Sequence, residues 1–306
     1  MGSGPEVAQV AVMDHPPRVR ALKRMLGAVA DGIHPVVDLW RPYIDGLGNL
    51  PADGRFLLVG NHTQMGSAET FLIPYAVRRE IGVRVRPLAD RQFGQMRGLP
   101  GDLLAAYGGV VGAPETAREL MRHDQTVLVF PGGGREIPKF KGEEYTLRWQ
   151  GRSGFARIAV ETGYPIVPVG LVGGDDVYRS LTSRDSAWGR FSQAMSSRFG
   201  GRDDMALPLL RGVGPTLIPR PERMYLRFGT PIDTTTPVGI DAAGWADDVK
   251  RRTQAQLEQI LDDLLVLRET DPYRGLSPLG WFRAARPEPA PAAAGIGTVQ
   301  RVTLRG

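Results

Sequence analysis

No cysteine occurs among the 306 residues, and that one absence removes disulfides, thiolate metal sites and a thiol acyl-enzyme together. It suits a reducing compartment. Histidine is scarce, with four residues, and lysine is confined to Lys23, Lys139, Lys141 and Lys250. The net charge of +5 and pI near 9.7 are therefore carried by arginine. With alanine and glycine also abundant, GC-rich codon usage accounts for that bias, so local clustering says more than the total. No apolar run approaches the roughly 18–20 residues that cross a bilayer. The amino terminus lacks the charged-then-apolar order of a secretory signal, and "MGSGPE" has Glu6 where a myristoylation motif needs Ser or Thr. The expectation is a soluble or peripheral protein that does not span. No Gly-x-Ser-x-Gly elbow exists, which argues against an α/β-hydrolase, and no aromatic–basic face marks a nucleic-acid binder.

What remains is an ordinary globular composition, 42% hydrophobic and 23% charged, long enough for one large α/β domain with an appendage. Residues 17–45 space Val19, Leu22, Leu26, Val29, Ile33, Val36, Trp40 and Ile44 at intervals of three and four, which predicts an amphipathic helix interrupted near Pro35 and Pro42. Arg18, Arg20, Lys23 and Arg24 crowd its first turns. Two readings stand side by side: an interfacial membrane helix with Trp40 and Tyr43 at the boundary, or a helical hairpin packed on the core.

From residue 51 the pattern alternates. "RFLLVG" (55–60), "VRVRPLA" (83–89), "TVLVF" (126–130), "PIVPVGLV" (165–172) and "MYLRF" (224–228) read as strands. Helical patterns fall between them near 67–80, 92–106, 114–123 and 152–162. The predicted fold class is α/β, a mostly parallel central sheet flanked by helices, with an N-terminal helical segment. The predicted division is an amphipathic helical segment at 1–50, an α/β domain at 51–267 with an insertion of irregular or short helical structure at 179–221, and a C-terminal extension at 268–306. A strongly amphipathic helix at 241–267 docks by Trp245, Val249, Leu257, Ile260, Leu261 and Leu264. The Ala/Pro-rich tail beyond residue 284 has no period.

In parallel α/β sheets, ligands bind beyond the carboxyl ends of the strands. "RFLLVGNHTQMGSAETFLIP" (55–74) puts His62 just past such an end, and "FPGGGRE" (130–136) follows another. An imidazole accepts a proton near neutral pH, three successive glycines expose backbone N–H groups to an anion, and Arg135 adds a charged fork. Base, anion cradle and cation are what acyl transfer requires. The other histidines, His15, His34 and His123, read as structural or solvated. Asp175 and Asp176, after "GLVGG", read as turn residues before ligand contacts.

The order Asn61-His62, "GGVVGAPE" (108–115), "FPGGGRE" (130–136) and "PIVPVG" (165–170) resembles the four motif blocks of the lysophospholipid acyltransferase superfamily. "GVVGAPE" and "EEYTLRWQGRSGFARIAVETGYPIVPV" are most similar to its diacylglycerol acyltransferase-like branch, and the likeness runs over roughly residues 50–235. The resemblance implies an O-acyltransferase moving a fatty acyl group from acyl-coenzyme A or acyl carrier protein to a lipid or glycerolipid hydroxyl. His62 is then the general base. Asn61, Gly132, Gly133, Gly134, Arg135, Glu136 and Pro168 fall in substrate-binding blocks. Lys139, Lys141 and Arg148 become candidates for phosphates or headgroups. The thioester is a substrate, no cofactor or metal is implied, and the expected place is peripheral, on the cytoplasmic face of the membrane.

One departure matters. The family pattern is the motif His, four intervening residues and then Asp, or Asp one residue further, to orient the imidazole. Here those positions hold Ser67 and Ala68, with Glu69 next. Glu69 has the reach to orient the ring, Ser67 could do so without charge, and loss of the dyad would leave a catalytically degenerate lipid-binding protein. As plain structural residues, Ser67 caps a helix and Glu69 complements its dipole. A carboxylate about 2.6–3.2 Å from a ring nitrogen would support a working dyad, whereas one beyond roughly 6 Å would favour the degenerate reading. The second block also has Ala113-Pro114-Glu115 where the family usually has Arg, so the family's phosphate contact there is not carried over.

Overall fold

A computed structural model of the chain describes residues 16–66, 68–89, 98–198 and 206–275. The predicted tail beyond 284 and residues 92–97 of the predicted helix lie outside them.

Helices α1 (Pro17–Gly32) and α2 (His34–Leu39) precede β1 (Tyr43–Asp45) and β2 (Leu57–Gly60). Then follow α3 (Ala68–Ile81), β3 (Val85–Ala89), α4 (Leu99–Tyr107), β4 (Val110–Val111), α5 (Pro114–Arg122) and β5 (Thr126–Val129). After these come α6 (Gly154–Thr162), β6 (Ile166–Val172), β7 (Arg179–Ser180), α7 (Ala187–Arg198), β8 (Leu210–Arg211), β9 (Tyr225–Phe228) and α8 (Ala242–Thr270). Seven strands form one sheet in the order β1-β9-β6-β2-β5-β3-β4. The run β6-β2-β5-β3-β4 is parallel, while β9 is antiparallel to β6 and carries β1 alongside it.

The core follows from the pleat. Phe56 and Leu58 of the β2 segment face one side with Ile73 and Val77 of α3, and Leu57 and Val59 face the other with Leu120, Ala156, Ala159 and Leu257. Helices thus cover both faces, which is why β2 and β6 are buried along their whole length and read as unbroken apolar runs. Pro114 opens α5, and Gly163 closes α6 in the left-handed region at φ 60°. Gly170 lets α8 press on β6: a Cβ there would stand 2.5 Å from Ile260 Cγ2. All the predicted docking residues of α8 are buried except Trp245, which is partly buried against the same core.

Two sequence expectations are corrected. Residues 43–45 are not the end of a helix but a strand in register with Tyr225, Leu226 and Arg227. Pro42 stops helical pairing, and Ile44, spaced for a helix, packs on the sheet core instead. The insertion at 179–221, expected as irregular or short helical structure, holds helix α7 and also the antiparallel β7–β8 ribbon, which was not expected. Of the N-terminal stripe, Val19 is buried, Leu22, Leu26 and Ile33 are half-buried, and Val29 and Trp40 are exposed. Among the described residues, no helix is long and apolar enough to cross a membrane.

Candidate active site

The carboxyl ends of β2, β5 and β6 meet at one edge, because Val59 lies between Val129 and Pro168 in register. Asn61 leaves β2 first. Its side-chain amide donates to the Leu171 carbonyl at 3.0 Å and accepts from the Leu171 N–H at 2.9 Å. The buried side chain thereby extends the β2–β6 ladder by one rung. Asn61, expected as a substrate contact, is committed to the fold.

His62 follows. Its Nδ1 lies 2.7 Å from Glu69 Oε1, and its ring stacks on Phe130 with centroids 4.1 Å apart. Glu69 sits on the first turn of α3 and is fully buried. Its carboxylate also accepts the Thr63 N–H at 3.0 Å and the Thr63 hydroxyl. Burial alone would raise this carboxyl. The hydrogen bond and charge of His62 and the two bonds from Thr63 outweigh burial and hold it below the ordinary value of 4.5. An ionised Glu69 fixes the Nδ1–H tautomer by hydrogen bonding, which leaves Nε2 as the acceptor. The residue beyond the family spacing is the one that reaches the ring. Met65 and Gly66, both at φ 66°, fold the intervening chain into a tight turn that brings α3 back. Ser67 lies outside the described residues.

Three consecutive backbone N–H groups donate to three different buried carboxylates. His62 donates to Glu136 at 3.1 Å, Thr63 to Glu69 at 3.0 Å, and Gln64 to Asp175 at 2.7 Å. The chain that carries the imidazole is therefore fixed from three directions. Glu136 accepts the Arg148 N–H on its other oxygen at 2.7 Å. Burial pushes its carboxyl up against the opposing pull of those two N–H groups and of His62 and Lys139. Asp175 also accepts Lys139 Nζ and the Tyr145 N–H, both at 2.7 Å.

The glycine turn is built around the same carboxylates. A methyl at Gly132 would overlap the Glu136 carboxyl group, so glycine here is space for that side chain. Gly133 to Arg135 form a single 3₁₀ turn, with the Gly133 N–H on the Phe130 carbonyl at 2.9 Å. Arg152 holds the turn from outside, donating to the Pro131 and Gly132 carbonyls at 2.9 and 3.1 Å. Gly134 and Arg135 are half-buried on it, and Pro168 lies inside β6 opposite Val59.

The expected cations separate. Lys141 is exposed and Arg148 is half-buried, ion-paired to Glu143 at 3.3 Å. Lys139, expected at the rim, points inward as a fully buried ion pair with Asp175. The reason is physical: a buried carboxylate needs a buried counter-charge, and its partner is 36 positions away in sequence. Sequence reasoning missed Thr63, Phe130 and Arg152 as parts of the site. Among the described residues, no group of three or more His, Asp or Glu is arranged to hold a metal ion.

The chain matches the acyltransferase family model over residues 41–172. It is 32% identical over 269 residues to phytyl ester synthase 2, chloroplastic, of Arabidopsis thaliana, covering 78% of this chain and 36% of that one. It is 26% identical over 144 residues to the human "DGAT1/2-independent enzyme synthesizing storage lipids", covering 47% of this chain and 44% of that one. A solved 1-acyl-sn-glycerophosphate acyltransferase from Thermotoga maritima is similar at 18% identity and TM-score 0.40, over 83% of this chain and 86% of that one. The chain spans about a third of the length of the plant relative.

Proposed function

Because the chain belongs to the acyltransferase superfamily, we propose that it moves a fatty acyl group from an acyl thioester to a lipid hydroxyl, with His62 as general base. The observation that carries this reading is the 2.7 Å contact between His62 Nδ1 and Glu69 Oε1. Glu69 holds the Nδ1 proton, so Nε2 faces the acceptor with its lone pair. The acceptor oxygen attacks the thioester carbonyl carbon while its proton passes to Nε2. The tetrahedral intermediate collapses, the C–S bond breaks, and the departing sulfur takes that proton from the imidazolium. In this reading the N–H groups of the glycine turn other than that of Gly133, which bonds the Phe130 carbonyl, serve as donors to the negative charge that grows on the carbonyl oxygen. A base of this kind is worth about 10²–10⁴-fold in rate.

In this reading the exposed Lys141 and the half-buried Arg148 are the cations that meet phosphates of a coenzyme A or carrier-protein donor. The name of the plant relative, a phytyl ester synthase, supports a long-chain alcohol as acceptor, beside the glycerolipid hydroxyl that the sequence resemblance implies. Such substrates reside in membranes, which supports peripheral contact with a membrane surface, read here as its cytoplasmic face.

The test is incubation of the full chain with labelled acyl-coenzyme A or acyl carrier protein and a panel of long-chain alcohols and diacylglycerol. Ester should form with at least one pair and disappear in His62→Ala. Stoichiometric lipid retention without ester from any donor would establish the lipid-binding alternative instead.

A further inference from the structure

The ribbon of β7 and β8 is inside out for a solvated element. Arg179 pairs directly with Arg211 in register, so both guanidinium groups stand on one face. The alternation extends along both strands. Arg179 and Leu181 are exposed, while Ser180 turns in and donates its hydroxyl to the Lys139 carbonyl. Leu207, Leu209, Arg211 and Val213 are exposed, while Ala206, Pro208 and Gly212 are buried. The Leu181 N–H bonds the Leu209 carbonyl at 2.8 Å, which sets a leucine pair beside the arginine pair.

The neighbours continue this face. Trp188, exposed on α7, donates its indole N–H to the Leu207 carbonyl at 3.2 Å. Leu217 and Ile218 are exposed on a loop that folds back on the strand, with the Val213 N–H on the Ile218 carbonyl at 2.8 Å. Arg220 joins Arg179 and Arg211 around a cavity of about 440 Å³. The acid lining that cavity is Glu222, which Arg220 and Arg268 already engage at 3.4 and 3.3 Å. Like charges placed directly opposite on a ribbon cost free energy unless an anion sits between them. Aliphatic side chains with an indole and guanidinium groups on one surface are the composition of a membrane interface.

We propose that this ribbon face docks the protein on an anionic phospholipid surface, with a headgroup phosphate seated among Arg179, Arg211 and Arg220. The inference rests on the reading that the acceptor is a lipid, and it locates where that lipid surface meets the protein. The face is wired to the active site: Ser180 bonds the Lys139 backbone, Lys139 pairs with Asp175, and Asp175 holds the Gln64 N–H beside His62.

The test is co-sedimentation of the full chain with vesicles of phosphatidylcholine alone or mixed with phosphatidylglycerol. The wild type should partition onto the mixed vesicles. Arg179→Ala with Arg211→Ala should weaken that partition about thirtyfold, at about fivefold per surface charge. Leu217→Ser with Ile218→Ser, at the loop tip, is an independent variant and should weaken it as well. His62→Ala should bind as the wild type does, which keeps docking separable from catalysis. The proposal fails if the wild type ignores mixed vesicles or if both double variants bind them normally. It also fails if the arginine variant loses only affinity for acyl-coenzyme A, which would assign the seat to the donor's phosphates. A change in oligomeric mass with unchanged vesicle binding would assign the face to a second copy and overturn it too.

Discussion

Glu69 Oε1 receives both the imidazole Nδ1 of His62, at 2.7 Å, and the backbone N–H of Thr63, at 3.0 Å, while its second oxygen receives the Thr63 hydroxyl. One side chain thus orients the ring and the backbone that carries it. Charge and geometry are separable here. In Glu69→Gln the amide oxygen keeps the Oε1 contacts, and the Thr63 hydroxyl can turn to accept from the amide NH₂. We expect a folded variant whose turnover falls by about 10²-fold or more, toward the ~10⁴-fold seen when an orienting carboxylate is neutralised in other base–orienter pairs. Glu69→Asp, one methylene shorter, should retain charge and lose reach, with a comparable fall. Steady-state ester formation, alongside circular dichroism, checks both.

Stability against pH should carry the signature of the same carboxyl. Glu69 has a folded pKa depressed below 4.5, so its ionised form is the one the fold favours. Its contribution is present above pH 4.5 and is lost as pH falls through the depressed folded value. Glu136 acts with the opposite sign. Its pKa is raised by burial, so its contribution is complete below 4.5 and is lost as pH rises through the raised value. Urea midpoints of wild type and Glu69→Gln should therefore differ by a constant amount well above pH 4.5 and converge below it. A gap that widens on acidification would contradict the assignment.

Gly132→Ala tests the turn. The backbone there, φ −66°, suits any residue, so the penalty is the overlap of the new methyl with Glu136. Displacing that carboxylate unties the His62 and Arg148 N–H groups. We expect a loss of about 1–3 kcal/mol from overpacking, with a fall in turnover larger than any change in KM.

Lys139→Met probes the buried pair. Breaking one partner of a buried ion pair costs about 3–5 kcal/mol, because the other charge is left in the interior. Asp175 would retain the Gln64 and Tyr145 N–H groups. The expected outcome is a lower denaturant midpoint with little change in the apparent affinity for the acyl donor. A change in donor affinity at unchanged stability would return Lys139 to the substrate.

The alternating strands and the His62 edge were legible because continuous apolar runs and a histidine after a strand are local signals. The dyad partner was legible in part: side-chain reach and charge favour Glu69 over Ser67, and the contact forms as expected. What the sequence does not show is how the extra residue is absorbed, because that depends on the left-handed turn at Met65 and Gly66, and Met65 gives no sign in sequence of a positive φ. Tyr43–Asp45 escaped because three residues are too short to show a period of two, and Ile44 happens to continue the helical spacing. Lys139 was misplaced for a related reason: its polarity signals a rim, and only the fold supplies the Asp175 that draws it inside. The ribbon was illegible because its strands are two residues long, too short to show a period of two.

The most direct test of the central claim is single-turnover ester formation by His62→Ala, measured with the acyl donor and lipid acceptor that the wild type uses. A general base at His62 predicts a fall of at least about 10²-fold in the chemical step, with the protein still folded. Ester formed at the wild-type rate by the folded variant would contradict it.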